Sequence, residues 1–270
     1  LAGCAFLARL AGYSNIISHS HEIVSHYGIL PKLLINLCVL SSHRVVCVSD
    51  AVKNDMLSSL IIKQKHKFIV VHNGIESQKY IPIEKSSKFQ ILLLGRIMHE
   101  KGQWFLLDSL KKMSDQILNQ ISVKIVGSPP PYRNHLLNEL ESYIHQLKMD
   151  NIVEIAHFLK NPAEIIQMSH ICVVPSIMPD PFPTTVLEAM AFGRAVIATN
   201  NGGAKEIIKH GETGFLVRPN DTEGLAMIIN ALVSDVGLIE RIGKKAFSFF
   251  NDYLTVEMFE KRFMRVISCE

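Results

Sequence analysis

Two carboxylates, Asp180 and Glu188, stand with seven residues between them in a stretch that reads VVPSIMPDPFPTTVLEAMAFGRAVIATNNGGAKEIIKHGETGFLVRP, residues 173–219. Taken alone, Glu188 would serve as a helix-capping acid and Asp180, flanked by prolines, as a turn residue. Earlier in the chain, the segment GRIMHEKG places Arg96 and Lys101 just after an apolar run. Two fixed cations at a strand end could neutralise a pyrophosphate leaving group, Arg by bidentate contact and Lys as a point charge; they could equally be solvated surface cations. Gly202-Gly203 follows another apolar run, where small residues let a ligand approach the backbone. The segment SHSHE carries His19 and His21. His-x-His suggests a metal, but no third ligand follows at a recognisable spacing, which argues against zinc and leaves a polar surface loop. Gly127-Ser128 closes a further apolar run and reads as a strand-to-helix turn.

These residues need elements to hold them. The stretch 173–219 reads as strand, polar loop, helix, strand, Gly-rich turn, helix, turn, strand. Four prolines at 175, 179, 181 and 183 exclude a regular helix across the loop. Thr184 or Thr185 is expected to cap the next helix, with Glu188 as its capping-box partner, and Gly193 to stop that helix after residues 186–192. Residues 195–198 form a buried strand, and Asn200-Asn201-Gly202-Gly203 a turn that needs positive φ. This order puts a polar loop and a helix start beyond the carboxyl end of a parallel strand. Open α/β sheets bind ligands there, and helix amides favour anions such as pyrophosphate.

The rest of the chain repeats the alternation. Strands are expected at 15–21, 44–48, 68–71, 90–94, 122–126 and 153–155. Helices are expected at 31–40, 51–60, 103–113, 133–147, 163–168, 222–233, 238–250 and 255–267, with Ser49-Asp50 capping the second. Strand-helix alternation predicts a parallel α/β fold. At 48% hydrophobic and 20% charged, the 270 residues can bury a sizeable core. The net charge of +3 and pI near 8.5 are too mild for a nucleic-acid partner, though they suit weak association with an anionic membrane surface. No apolar run reaches membrane-span length and no signal peptide is visible. Cys4, Cys38, Cys47 and Cys172 sit in apolar runs and read as reduced core residues of a cytosolic protein; Cys269 adds no CxxC spacing. Trp104, Phe247, Phe249 and Phe250 read as core or interface. The chain opens at Leu1 with LAGCAFLARLAG, already amphipathic, and is expected to be N-terminally incomplete.

The paired acids, LEAMA at residues 187–191, Gly202-Gly203 and the run from Gly211 to Val217 together resemble the retaining, nucleotide-sugar-dependent glycosyltransferases of family 4, with VSDAVKNDM and HNGIE extending the likeness upstream. The resemblance implies an α/β fold of GT-B type, with two Rossmann-like parallel-sheet domains, the N-terminal one truncated. Residues 1–78 would be the end of the acceptor-side domain, 79–88 a linker, 89–250 the donor-binding domain and 251–270 a helix crossing back. It implies a sugar transferred from a UDP- or GDP-sugar to an acceptor hydroxyl with retained configuration, without metal or cofactor. By the same resemblance Arg96 and Lys101 bind the donor phosphates, Glu188 the ribose hydroxyls and Asp180 the donor sugar, an aspartate where the family has glutamate. Gly127 and Ser128 line the base pocket, Pro183, Thr184 and Thr185 lie along the donor loop, and Gly202, Gly203 and Ala204 admit the sugar diphosphate, with Glu206 capping the helix after them. His21, with His19 as second choice, points toward the reacting carbon. The nearest subgroup builds bacterial O-antigen, capsule or exopolysaccharide, lipopolysaccharide included. That implies a saccharide or lipid-linked acceptor and a cytoplasmic enzyme peripheral to the inner face of the membrane. The aspartate and the missing N-terminal units also fit a nucleotide-binding relative that transfers nothing.

Overall fold

The computed structural model describes residues 2–61, 63–83 and 86–268. The chain forms two compact units. One comprises Leu1–Ile75, Pro179–Phe182 and Leu254–Glu270, the other Glu76–Met178 and Pro183–Tyr253.

In the first unit α1 (Ala2–Leu10), β1 (Ile17–Ser20), α2 (Ile29–Ser41), β2 (Arg44–Cys47), α3 (Asp50–Ser59) and β3 (Phe68–Val70) follow in order. The strands form a parallel sheet in the order β1-β2-β3, as helical crossovers require. Ser49 caps α3, its hydroxyl oxygen accepting from the Val52 amide at 3.1 Å. Burial pushes the Cys47 thiol up to about 12, which makes it inert. Cys4 corrects the expectation of a core thiol. It is exposed, on the face of α1 turned to solvent, while Cys38 is half-buried and Cys172 buried. Cys269 lies outside the described residues.

The second unit holds β4 (Phe89–Leu94), α4 (Gln103–Leu110), α5 (Asp115–Leu118), β5 (Ile121–Val126), α6 (His135–Gln146), β6 (Val153–Ala156), α7 (Ala163–Met168), β7 (Ile171–Val174), α8 (Thr184–Ala191), β8 (Ala195–Thr199), α9 (Ala204–Ile207), β9 (Phe215–Val217), α10 (Thr222–Ser234) and α11 (Val236–Tyr253). All six strands pair in parallel, in the order β6-β5-β4-β7-β8-β9. The central strands β7 and β8 are buried at every residue. Each is covered on both faces, and so reads as an unbroken apolar run. Asp221 caps α10 by accepting from the Gly224 amide at 2.8 Å. One expected helix, 103–113, ends early: α4 stops at Leu110, and a separate four-residue helix, α5, starts at Asp115.

Part of the expected linker is anchored. The Tyr80 ring lies 5.3 Å from that of Phe247, edge-on, and a Cβ on Gly193 would come within 2.6 Å of the Tyr80 ring. Arg194 donates to the Ile81 carbonyl. Tyr80 and Ile81 therefore pack on the second unit. Glu84 and Lys85, also within the expected linker, lie outside the described residues.

The last described helix, α12 (Val256–Ile267), belongs to the first unit. Thr255 caps it, its hydroxyl oxygen accepting from the Met258 amide at 3.3 Å. Its apolar face sets Phe259, Phe263 and Val266 against Ile17, Val46, Ile69 and Val71. Just before it, Ile75 and Thr255 pair as a parallel bridge, with the Ile75 amide donating to the Leu254 carbonyl at 3.1 Å. Gly74 must be glycine for this, since a Cβ there would lie 2.1 Å from the Thr255 carbonyl oxygen.

Candidate functional site

In the second unit the chain starts its sheet at β4, adds β5 and β6 on one side, then returns to place β7 on the other. The strand order reverses between β4 and β7, and a crevice opens beyond the carboxyl ends of strands that diverge this way. Most of the residues singled out from the sequence lie in the loops at that edge. Arg96 and Lys101 follow β4, Gly127 and Ser128 follow β5, Pro183 with α8 follows β7, and Gly202-Gly203 follows β8.

Close packing of backbone holds these loops. Gly102 sits at φ +80°, and a Cβ there would lie 2.0 Å from the Pro175 carbonyl oxygen, locking the loops on either side of the reversal. A Cβ on Gly127 would lie 1.9 Å from the Gly95 carbonyl oxygen. Lys101, in the short 3-10 turn His99–Lys101, runs back along this loop, its Cδ 4.0 Å from where a Gly95 Cβ would be. Arg96 is exposed. Among the described residues no hydrogen bond or ion pair engages its guanidinium, and its backbone carbonyl accepts from the Gln103 amide group at 2.9 Å.

Helix α8 departs from the expectation at its start. Its N-cap is Pro183 and no side chain caps it, so Thr184 and Thr185 are its first helical residues and Glu188 forms no capping box. Proline here supplies the extended φ that a cap needs without an acceptor group. The first amides of α8 are left to other partners. Glu188 lies one turn further on, half-buried. Among the described residues its carboxylate accepts no hydrogen bond, and burial raises its pKa above the usual carboxylate range. Gly202 takes φ +58°, as the turn demands. Glu206 lies inside the four-residue helix α9, whose N-cap is Gly203.

Asp180 and His21 fall in the first unit. The segment Pro179–Phe182 is held there by the Ser49 hydroxyl, which donates to the Pro181 carbonyl at 2.7 Å, and by Phe182 stacked on His72 at 5.1 Å. His21 is the residue after β1 and is exposed. His19 lies inside β1 against α12, its ring 5.7 Å from Phe263 and 4.2 Å from that of His21. Its Nε2 is buried without a partner. Burial, then the neighbouring His21, lowers its pKa to about 4. The unfolded chain takes up that proton near 6.5 and the folded chain only near 4, so stability present above pH 6.5 is lost as pH falls from 6.5 to 4. His19→Leu is expected to flatten that part of the dependence, measured as the difference in urea midpoint between variant and parent across this range. Parallel curves would count against it.

Sequence reasoning gave no role to Arg194 or Thr199 and read Asn201 only as a turn residue. Arg194 is 1% exposed and spends its guanidinium on backbone carbonyls. Its only signal was a charge inside an apolar run. Among the described residues no group of three or more His, Cys, Asp or Glu is placed to hold a metal ion, and no helix is long and apolar enough to cross a membrane.

A parallel sheet reversing at its first strand, with cations on one flank and a helix start on the other, defines a Rossmann-like unit. The family described as glycosyl transferases group 1 matches residues 74–249, and the chain belongs to it. It is 26% identical over 228 residues to alpha-maltose-1-phosphate synthase of Mycobacterium tuberculosis, covering 76% of this chain and 57% of that protein. It is 26% identical over 225 residues to the capsular polysaccharide biosynthesis glycosyltransferase CapM of Staphylococcus aureus, covering 78% of this chain and 57% of that one. The chain thus spans little more than half the length of these relatives. Its fold is that of GT-B glycosyltransferases. The Anabaena protein HepE, solved with UDP and glucose, superposes with a TM-score of 0.87 at 22% identity over 99% of this chain and 76% of HepE.

Proposed function

We propose that the second unit binds the donor of a retaining glycosyltransferase of family 4, which moves a sugar from a UDP- or GDP-sugar to an acceptor hydroxyl in cell-surface polysaccharide or lipid-linked oligosaccharide synthesis. One observation carries the reading: Glu188, a desolvated carboxylate that no described residue satisfies, lies one turn into an uncapped helix at the strand-order reversal. A buried acid without partners is costly, and ligand donors such as the two ribose hydroxyls would satisfy it. Arg96, whose guanidinium no described residue engages, and Lys101 supply fixed positive charge for the diphosphate. The amides of Thr184 and Thr185, at the start of α8 after Pro183, face the same need for an acceptor. Gly127, Gly202 and Gly203 let the ligand run close to the backbone.

In this reading Asp180 holds the donor sugar and His21 reaches the reacting carbon; His21 is favoured over His19 because it is the exposed ring at the strand end. The bond from the anomeric carbon to the β-phosphate oxygen breaks. The acceptor oxygen attacks the same face and gives its proton to the departing phosphate, so configuration is retained and a nucleoside diphosphate leaves. The fixed cations take the place of a metal. Domain roles follow the same reading, 1–78 with 251–270 on the acceptor side and 89–250 on the donor side. Kinship with the staphylococcal capsule enzyme supports the polysaccharide acceptor, met at the cytoplasmic face of the membrane.

Titration calorimetry with UDP and GDP tests this. Saturable binding of one of them, competed by its sugar conjugate, is expected without added divalent metal. Absence of binding by both up to about 1 mM, where an interaction is worth about 4 kcal/mol, would overturn the reading.

A further inference from the structure

Three loops at the carboxyl edge of the second unit are joined through one side chain. The Asn201 amide nitrogen donates to the Ile177 carbonyl at 2.9 Å and to the Ser176 carbonyl at 3.2 Å. The Thr199 hydroxyl lies 2.6 Å from the same Ser176 carbonyl and 3.0 Å from the Asn201 side-chain oxygen, which sets the orientation of the amide. Across the loop, the Ile177 amide donates to the Glu100 carbonyl at 2.8 Å, with the Met178 amide at 3.4 Å. Glu100 precedes Lys101 in the 3-10 turn, and Asn201 precedes Gly202-Gly203. The chain of bonds therefore runs from the turn after β8, through the loop after β7, to the cationic loop after β4. Ser176 and Thr199 are both buried, so water cannot take over these bonds without opening the edge.

We propose that Asn201 is a positioning residue: its carboxamide sets the spacing between the Gly202-Gly203 turn and the Lys101 loop, and through it the fit of the donor's diphosphate. This rests on the donor-site reading above. It deepens that reading by assigning recognition of the second phosphate to a residue that does not itself touch the ligand. Only an amide serves, because the position must donate to two carbonyls and accept from a hydroxyl. Asn201→Asp keeps the shape but turns a carboxylate toward the Ser176 and Ile177 carbonyls, with no proton to offer.

The test has two arms. In the nucleotide-free chain, amide hydrogen exchange at Ile177 is expected to speed up by about tenfold or more in Asn201→Asp and Asn201→Ala. Asn200→Ala, the exposed neighbour, should leave it unchanged. In calorimetry, the preference for UDP over UMP, or GDP over GMP, should fall by about tenfold in both Asn201 variants while affinity for the monophosphate holds. General destabilisation would weaken both nucleotides alike. Unchanged exchange at Ile177, or an unchanged diphosphate preference in variants that still bind, overturns the assignment. A parent chain that binds no nucleotide overturns the donor-site reading and the positioning role with it, while the exchange arm still decides whether Asn201 ties the loops together. Should Asn201→Ala fail to fold, the isosteric aspartate carries both arms.

Discussion

Arg194→Met is expected to lower the unfolding free energy of the second unit by about 3–5 kcal/mol, because several buried carbonyls lose their donor at about 1–3 kcal/mol each. The guanidinium donates to the carbonyls of Phe192 at 2.9 Å, Gln167 at 3.2 Å and Ser169 at 3.2 Å, and also to that of Ile81. Phe192 and Ser169 are the residues that end α8 and α7. One cation thus satisfies carbonyls that a helix end leaves without partners, and its charge opposes the negative end of each helix dipole. Methionine matches the length and apolar stem but leaves those carbonyls desolvated and unpaired. Burial lowers the Arg194 pKa, yet arginine stays charged at any pH at which the chain folds. Lysine, with a single compact ammonium and three donors, cannot reach four carbonyls in this fan and should restore less than half of the loss. Against a total stability of about 5–15 kcal/mol the effect is large. Urea unfolding decides the matter. A midpoint for Arg194→Met that corresponds to less than about 1 kcal/mol of loss would show that neighbouring structure or water replaces the guanidinium.

Glu188→Gln is expected to act in opposite directions on stability and on binding. The folded chain keeps the Glu188 carboxyl desolvated and without a described partner, which raises its pKa. A carboxyl whose folded pKa is raised stabilises the fold most below its unfolded pKa. That contribution is lost as pH rises through the folded value. At neutral pH the ionised group is therefore a liability, and the neutral amide should raise the unfolding midpoint. On the proposed donor-site reading, nucleotide affinity should fall about 100-fold, because two charge-assisted hydrogen bonds to ribose hydroxyls would together supply about 3 kcal/mol. The parent's affinity should also weaken on acidification through the raised pKa, since the ribose hydroxyls need an ionised acceptor, and this dependence should vanish in the variant. Such a trade of stability against function is common where a site keeps an unsatisfied group for its ligand. If Glu188→Gln binds UDP or GDP as tightly as the parent, the ribose assignment fails even where the fold reading stands.

Much of the architecture was legible because its signals are local. Apolar runs such as QILLL and AVIA mark strands covered on both faces, and the strand-helix alternation marks a parallel sheet. Four prolines between 175 and 183 mark a loop that cannot be helical. Ser49 was readable as a cap because Ser-Asp before an apolar-periodic segment satisfies helix amides from within a few residues. The same rule failed at Thr184, where the cap is Pro183: a proline upstream can set the entry angle with no acceptor at all. Cys4 failed because an apolar run on a short helix does not say which of its faces is covered.

By itself the sequence determined which residue types occupy the loops at the sheet edge, from Arg96 and Lys101 to Glu188 and Gly202-Gly203. Motif spacing and chain order are one-dimensional properties, and so is the family they point to. Only the tertiary structure decided that β7 returns to the far side of β4 and so brings those loops to one reversal point. It alone decided that Asp180 is grouped with Ser49 and His72, that His19 is covered by α12 while His21 is exposed, and that Asn201 bridges loops far apart in the chain. Arg194 and Ile81 are separated by 113 positions, and no periodicity connects residues at that distance. Their contact exists because burial forces a charge to find carbonyls wherever the folded backbone supplies them.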